Sequence, residues 1–163
     1  MNSTIDESEV EFFSTLARAK EWWNPTGKLK TLHQINPFRI KFIKNKLIQQ
    51  RQQKIFLTNS GEDNDDMLSD VLQPLRGLHI LDVGCGGGLA SESLARLGAT
   101  VMGIDASFNN IQMALEHREY ALRDVSPDVY HRLHYRHCTA EQLLYEMMNS
   151  NNTVTSTLAL THV

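Results

Sequence analysis

The stretch Leu81-Asp82-Val83-Gly84-Cys85-Gly86-Gly87-Gly88 is where residue type and spacing first suggest chemistry. A glycine loop between a strand and a helix lets a ligand come close to the backbone, because no Cβ intervenes. The free N–H groups at the following helix start favour a carboxylate or phosphate there. Spacing then selects among ligands. A dinucleotide fingerprint, Gly-x-Gly-x-x-Gly, needs a glycine at position 89, and that residue is Leu89. The glycines stand instead at Gly84, Gly86 and Gly88, and Asp105 follows 21 residues after Gly84. An acid at the end of the next strand can accept both ribose hydroxyls of a nucleoside. Loop and acid together point to a nucleoside-bearing cofactor and away from an NAD-binding oxidoreductase module.

Other candidates carry less. His131, His134 and His137 recur every three residues, but on a strand His134 would face away from the other two, so three ligands could not converge on a metal. Cys85 sits in the glycine loop with no base paired to it by any motif, which argues against a nucleophile. His33 suits either an acceptor pocket or packing beneath Trp22 and Trp23. The acidic run from 58 to 70 offers carboxylates but nothing rigid to hold them around a cation.

These residues need elements to position them. Residues 7–57 read as helical, with Phe12, Phe13, Leu16 and Ala19 forming an amphipathic stripe that ends at Trp22-Trp23-Asn24-Pro25-Thr26-Gly27. A second helix is expected after Asn36 with Pro37 in its first position, running through Ile40, Ile43, Leu47 and Ile48. The acidic segment 58–70 reads as a solvated loop. From 71 to 163 strand and helix signals alternate, the pattern of a parallel sheet covered by helices. The strands are expected at 79–83, 99–105 and 133–138, with a fourth within 153–160. Helices are expected from Leu89 to Leu97, closed by Gly98, and from Phe108 to about Arg123, capped by Ser107. Thr139 and Gln142 have the spacing of a capping box for a further helix.

Composition sets the outer limits. The chain has 163 residues, 16 Lys and Arg against 19 Asp and Glu, and a net charge of −3, so no global basic field argues for nucleic acid. Two cysteines are too few for a disulfide scaffold and suit a reducing compartment. No apolar run approaches the roughly 18 residues that span a bilayer. The acidic start Met-Asn-Ser-Thr-Ile-Asp-Glu-Ser-Glu resembles neither a secretory signal nor an Arg-rich transit peptide. The sum reads as a soluble intracellular α/β domain.

The strand, Asp-x-Gly-x-Gly-x-Gly loop, helix and acid-terminated second strand resemble motifs I and II of the class I S-adenosylmethionine-dependent methyltransferases. Further upstream, Trp22-Trp23 and Leu32-His33-Gln34-Ile35-Asn36-Pro37-Phe38-Arg39, taken with Leu81 to Ser93, resemble the ubiquinone-biosynthesis O-methyltransferases. The likeness covers roughly residues 10–57 and 76–145. It implies a Rossmann-like class I methyltransferase fold with an incomplete sheet and an N-terminal helical lid: a helical segment at 1–57, an acidic loop at 58–70 and a partial S-adenosylmethionine-binding domain at 71–163. It implies cofactor contacts at Arg39, Gly84 and Asp105, to which the loop spacing adds Gly86. A guanidinium at Arg39 would clamp the cofactor's carboxylate bidentately.

The same resemblance implies a polyprenylated catechol as substrate, other ubiquinone-biosynthesis proteins as partners and a peripheral place on the matrix side of the mitochondrial inner membrane. The family also has a Glu-x-x-Glu-His segment associated with magnesium. Aligned there, Leu158 and Thr161 stand where the acids should be and His162 alone survives as a metal ligand. The tail from about Met147 departs from the family, so a C-terminally truncated enzyme is expected, with no measurable methyl transfer by this chain as written. The alternative is a non-catalytic fragment that keeps the cofactor fold and joins the biosynthetic complex.

Overall fold

The computed structural model of the chain describes residues 6–18, 21–58, 71–149 and 158–161. Four short apolar runs become parallel strands: β1 His79–Val83, β2 Thr100–Asp105, β3 Leu133–His137 and β4 Leu158–Thr161. They lie in the order β3-β2-β1-β4. Register places Ile80 beside Val101 and Val101 beside Leu133, so one face of the sheet presents a continuous apolar row. That row packs on Leu94, Ala95, Leu122 and Val129, and each fully buried large side chain contributes roughly 2 kcal/mol. Alternation sends Leu81 and Ile104 to the opposite face, where they meet Cys138 and Leu143.

The helices begin and end where local chemistry dictates. α3 Leu89–Arg96 starts after Gly88 and stops before Gly98, whose φ of 101° favours glycine. α4 Phe108–His117 is capped by Ser107, whose side chain accepts from the Asn110 amide at 3.3 Å, and a π-type turn, Arg118–Leu122, continues it. α5 Pro127–Arg132, with proline in its first turn, is an element the sequence pattern did not announce. It carries His131, while His134 and His137 lie on β3, so the three histidines divide between two elements. α6 Ala140–Asn149 has the expected capping box: the Thr139 amide donates to Gln142 Oε1 at 2.9 Å and the Gln142 amide to Thr139 Oγ1 at 3.1 Å.

Ahead of the sheet stand α1 Glu7–Arg18, a short 3-10 turn Glu21–Trp23, and α2 Lys30–Thr58. Two expectations need correction here. The inward face of α1 is Phe13, Ser14, Leu16 and Ala17, while Phe12 is 60% exposed, so the stripe is rotated from the one expected. α2 begins at Lys30, not after Asn36, and Pro37 lies inside it. Proline there forgoes the bond to the His33 carbonyl. Burial on both sides of Pro37 offsets that cost: Leu32 packs with the tryptophan cluster, while Ile40 and Ile43 join the main core. The acidic segment beyond Thr58 lies outside the described residues.

Strand order decides where a ligand can enter. β2 and β3 lie on one side of β1, and β4 on the other. The order therefore reverses between β1 and β4, and such a switch point opens a crevice outside the carboxyl ends of the strands.

Candidate functional site

The floor of that crevice is the turn from β1 into α3. The Gly84 and Cys85 amides both donate to the Ile104 carbonyl, at 2.8 and 3.0 Å, which pins the loop to β2. Gly84 and Gly86 have φ of 73° and 56°, values that side-chain-bearing residues avoid. A Cβ on Gly84 would meet no other atom within 4 Å, so the backbone is open to a ligand there. At Gly86 the outcome differs from the expectation of open cofactor space. A Cβ there would overlap the Trp22 ring.

Asp105 closes the floor at the tip of β2. Its Oδ2 accepts from the Gly86 amide at 2.8 Å, and its Oδ1 accepts from the Ser107 amide at 2.8 Å and Asn110 Nδ2 at 3.2 Å. The carboxylate is thus fixed in direction, only half-buried, and lines the cleft. Helix capping belongs to Ser107 and not to Asp105.

The cleft above holds about 460 Å³, within the usual range for small-molecule sites. Arg39 lines one wall. Its Nη2 donates to Asn36 Oδ1 at 3.1 Å, and Asn36 Nδ2 in turn donates to Ser93 Oγ at 2.9 Å. Its Nε is buried and has no partner among the described residues. A buried donor without an acceptor is costly, and an incoming carboxylate would satisfy it. Asp82 lies in the same lining and accepts from Ser91 Oγ at 2.5 Å. Burial pushes its carboxyl above the ordinary range, while the Ser91 bond and the Arg39 charge pull the other way. A cationic ligand group would favour its ionised form. Cys85 also lines the cleft, but burial raises its thiol well above the usual range, which disfavours the thiolate a nucleophile needs.

The N-terminal segment forms the lid. Trp22 covers Gly86 and Gly87 and donates from Nε1 to Asn110 Oδ1 at 3.0 Å. Trp23 donates from Nε1 to the Gly87 carbonyl at 3.1 Å and stacks on His117 with ring centroids 3.4 Å apart. His117 Nε2 pairs with Glu92 at 2.8 Å, and Arg96 binds the same carboxylate. Burial alone would raise Glu92, but the bonds from His117 and Arg96 together hold it below the ordinary value. α1 adds a buried bond between Ser14 Oγ and Ser107 Oγ at 2.6 Å. His33 supports the turn, with Nε2 2.9 Å from the Trp22 carbonyl oxygen, the contact expected of packing against the tryptophans.

The structure therefore brings Arg39, Gly84, Gly86 and Asp105 to one cleft. His162 lies outside the described residues, and among those described no three His, Cys, Asp or Glu side chains group as a metal site. Sequence reasoning missed Asp82, Asn36 and Asn110, while the reading of Trp22 as a lid contact agrees with its place over Gly86 and Gly87. Asp82 carried a signal, since it is the first residue of the Asp-x-Gly-x-Gly-x-Gly pattern. Asn36 and Asn110 also bond to Ser93 and Trp22, 57 and 88 residues away, and those links leave no local trace.

A family model described as a methyltransferase domain matches residues 81–163, half of the chain. The chain belongs to the methyltransferase-domain family. It is also similar to proteins named ubiquinone biosynthesis O-methyltransferase: 44% identical over 141 residues to that of Agrobacterium fabrum, covering 86% of this chain and 47% of the relative. The protein of that name from Bartonella tribocorum is 44% identical over 144 residues, covering 88% and 49%. The chain spans about half the length of these curated relatives. Among solved structures, an O-methyltransferase from Bacillus cereus in complex with SAH matches with a TM-score of 0.41 and 18% identity, covering 93% of this chain and 62% of that one.

Proposed function

We propose that the cleft binds S-adenosylmethionine and that the protein O-methylates a polyprenylated catechol of ubiquinone biosynthesis. The observation that carries this reading is the polar set at the ends of β1 and β2: an arginine with an unpartnered buried donor, an oriented acid 21 residues past an open glycine, and a second acid between them. Arg39 would take the cofactor's carboxylate, Asp82 its ammonium and Asp105 its ribose hydroxyls. Gly84 leaves the backbone open to the ligand, and Trp22 packs on Gly86 and Gly87 beside it. When bound, the cofactor supplies a sulfonium methyl for in-line transfer to a catechol oxygen. Holding both reactants in near-attack geometry is where the rate gain arises.

The names of the relatives support the acceptor class. A polyprenyl tail resides in a bilayer, and α2 offers a face for one: Ile35, Phe38 and Phe42 are 52%, 76% and 62% exposed along one stripe. That helix carries seven Lys and Arg and no acid, in a chain of net charge −3. We place the protein peripherally on an anionic membrane, the matrix face of the mitochondrial inner membrane, beside other enzymes of the pathway. Of the segment that the resemblance associates with magnesium, His162 alone remains as a candidate ligand.

The test is radiolabelled methyl transfer to a short-chain polyprenyl-dihydroxybenzoate, with and without magnesium. It is run on this chain and on the chain extended to the length of its relatives. Label in the catechol ether from the extended chain is the expected result. Its absence with every catechol acceptor would contradict O-methylation.

A further inference from the structure

We propose that Asn110 is a positioning residue that couples closure of the Trp22 lid to the setting of the Asp105 carboxylate. Asn110 is 3% exposed and spans the two. Its Nδ2 donates to Asp105 Oδ1 at 3.2 Å, and its Oδ1 accepts from Trp22 Nε1 at 3.0 Å. Neither bond can reverse, because an indole only donates and a carboxylate only accepts. The amide therefore has a single orientation that satisfies both neighbours, and flipping it would break both bonds at once.

The surroundings extend the link. The Asn110 amide is held by Ser107 Oγ, and that hydroxyl also bonds Ser14 on α1. The Ser107 amide donates to Asp105. The first turn of α4 thus carries two of the three donors that orient Asp105 and both polar contacts that α1 and Trp22 make with this helix. If the lid lifts, Asn110 loses its acceptor-side partner and its amide is free to turn. Asp105 then loses one of its orienting donors. By linkage, a ligand that needs Asp105 in its present direction favours the closed lid by the same factor that the closed lid favours the ligand.

The inference rests on Asp105 as the ribose carboxylate, and a double-mutant cycle separates the two. S-adenosylhomocysteine is titrated calorimetrically into the wild-type chain, Trp22→Phe, Asn110→Ala and the double variant, with thermal melts to confirm folding. Each single change should weaken binding roughly tenfold, the effect of one hydrogen bond serving a charged group. Because both act along one path, the double variant should also weaken it roughly tenfold. Asn110→Asp, nearly isosteric, keeps an acceptor for Trp22 and loses the donor to Asp105. It also sets a second carboxylate against Asp105, so it should bind more weakly than Asn110→Ala while its ligand-free tryptophan emission stays that of wild type. A roughly hundredfold loss in the double variant, meaning independent effects, would overturn the coupling, as would unchanged affinity in Asn110→Ala. Wild-type chain that does not bind S-adenosylhomocysteine would overturn the cofactor assignment and the coupling with it.

Discussion

The floor of the cleft and its lid are held by different kinds of bond. In the floor, backbone amides do the holding: Gly84 and Cys85 onto the Ile104 carbonyl, Gly86 onto Asp105, and a ladder of parallel strand pairs beneath. In the lid, side chains do it: Ser14 to Ser107, Trp22 to Asn110, Trp23 to Gly87 and onto His117. Backbone bonds inside a sheet break only when much of the fold opens. A few side-chain bonds on a separate helix can break locally, at lower free energy. The site therefore combines a fixed surface for recognition with a cover that can admit the ligand.

The largest expected effect comes from forcing the two apart. Gly86→Val places a side chain at a φ of 56° and into the Trp22 ring. It should cost about 3 kcal/mol of stability and abolish detectable S-adenosylhomocysteine binding, read by thermal melts and calorimetry. Next is the floor alone. Asp105→Ala removes the acceptor for three donors as well as the ribose contact, and should weaken cofactor binding by roughly 2–3 kcal/mol. Because Asn110 links Asp105 to Trp22, the variant should also loosen the lid, read as a shift in the tryptophan emission of the ligand-free protein.

How far could these regions be seen in advance? The floor was legible because its signals are local: apolar runs of strand length, glycines at fixed offsets, Ser107 as a cap, Thr139 and Gln142 as a capping box. The lid was not. Its stripe on α1 was misplaced because Ser14 is buried for a single bond to a serine 93 residues away. α2 was started too late because Pro37 has a strong local preference for a first turn, which the packing of Leu32 and Ile40 on either side overrides. For the site, Asp105 and Gly84 could be read from spacing, and Arg39 only from a resemblance. Asn36 and Asn110 needed coordinates.

A smaller effect probes the support beneath Trp23. Glu92 is held below its ordinary pKa by His117 and Arg96, so it contributes stability that is present above about pH 4.5 and is lost as pH falls through its lowered folded value. Glu92→Gln should cost roughly 1–2 kcal/mol at pH 7 in urea unfolding, and the gap from wild type should shrink as pH falls below 4. A gap that stays constant with pH would remove the ionised pair from the account. The smallest effect belongs to one lid bond. Ser14→Ala should cost about 1 kcal/mol, seen as roughly fivefold faster hydrogen exchange in α1 with β1 and β2 unchanged. Equal acceleration in the strands would mean that lid and floor open together.

The central claim is that the cleft recognises an adenosyl amino acid through Arg39 and Asp105, not a dinucleotide. Calorimetric titration of the wild-type chain with S-adenosylhomocysteine, and separately with NAD, tests it most directly. The prediction is saturable binding of S-adenosylhomocysteine, weakened in both Arg39→Ala and Asp105→Ala, and no heat of binding from NAD. Binding of NAD at comparable affinity, or S-adenosylhomocysteine affinity untouched by either substitution, would contradict it.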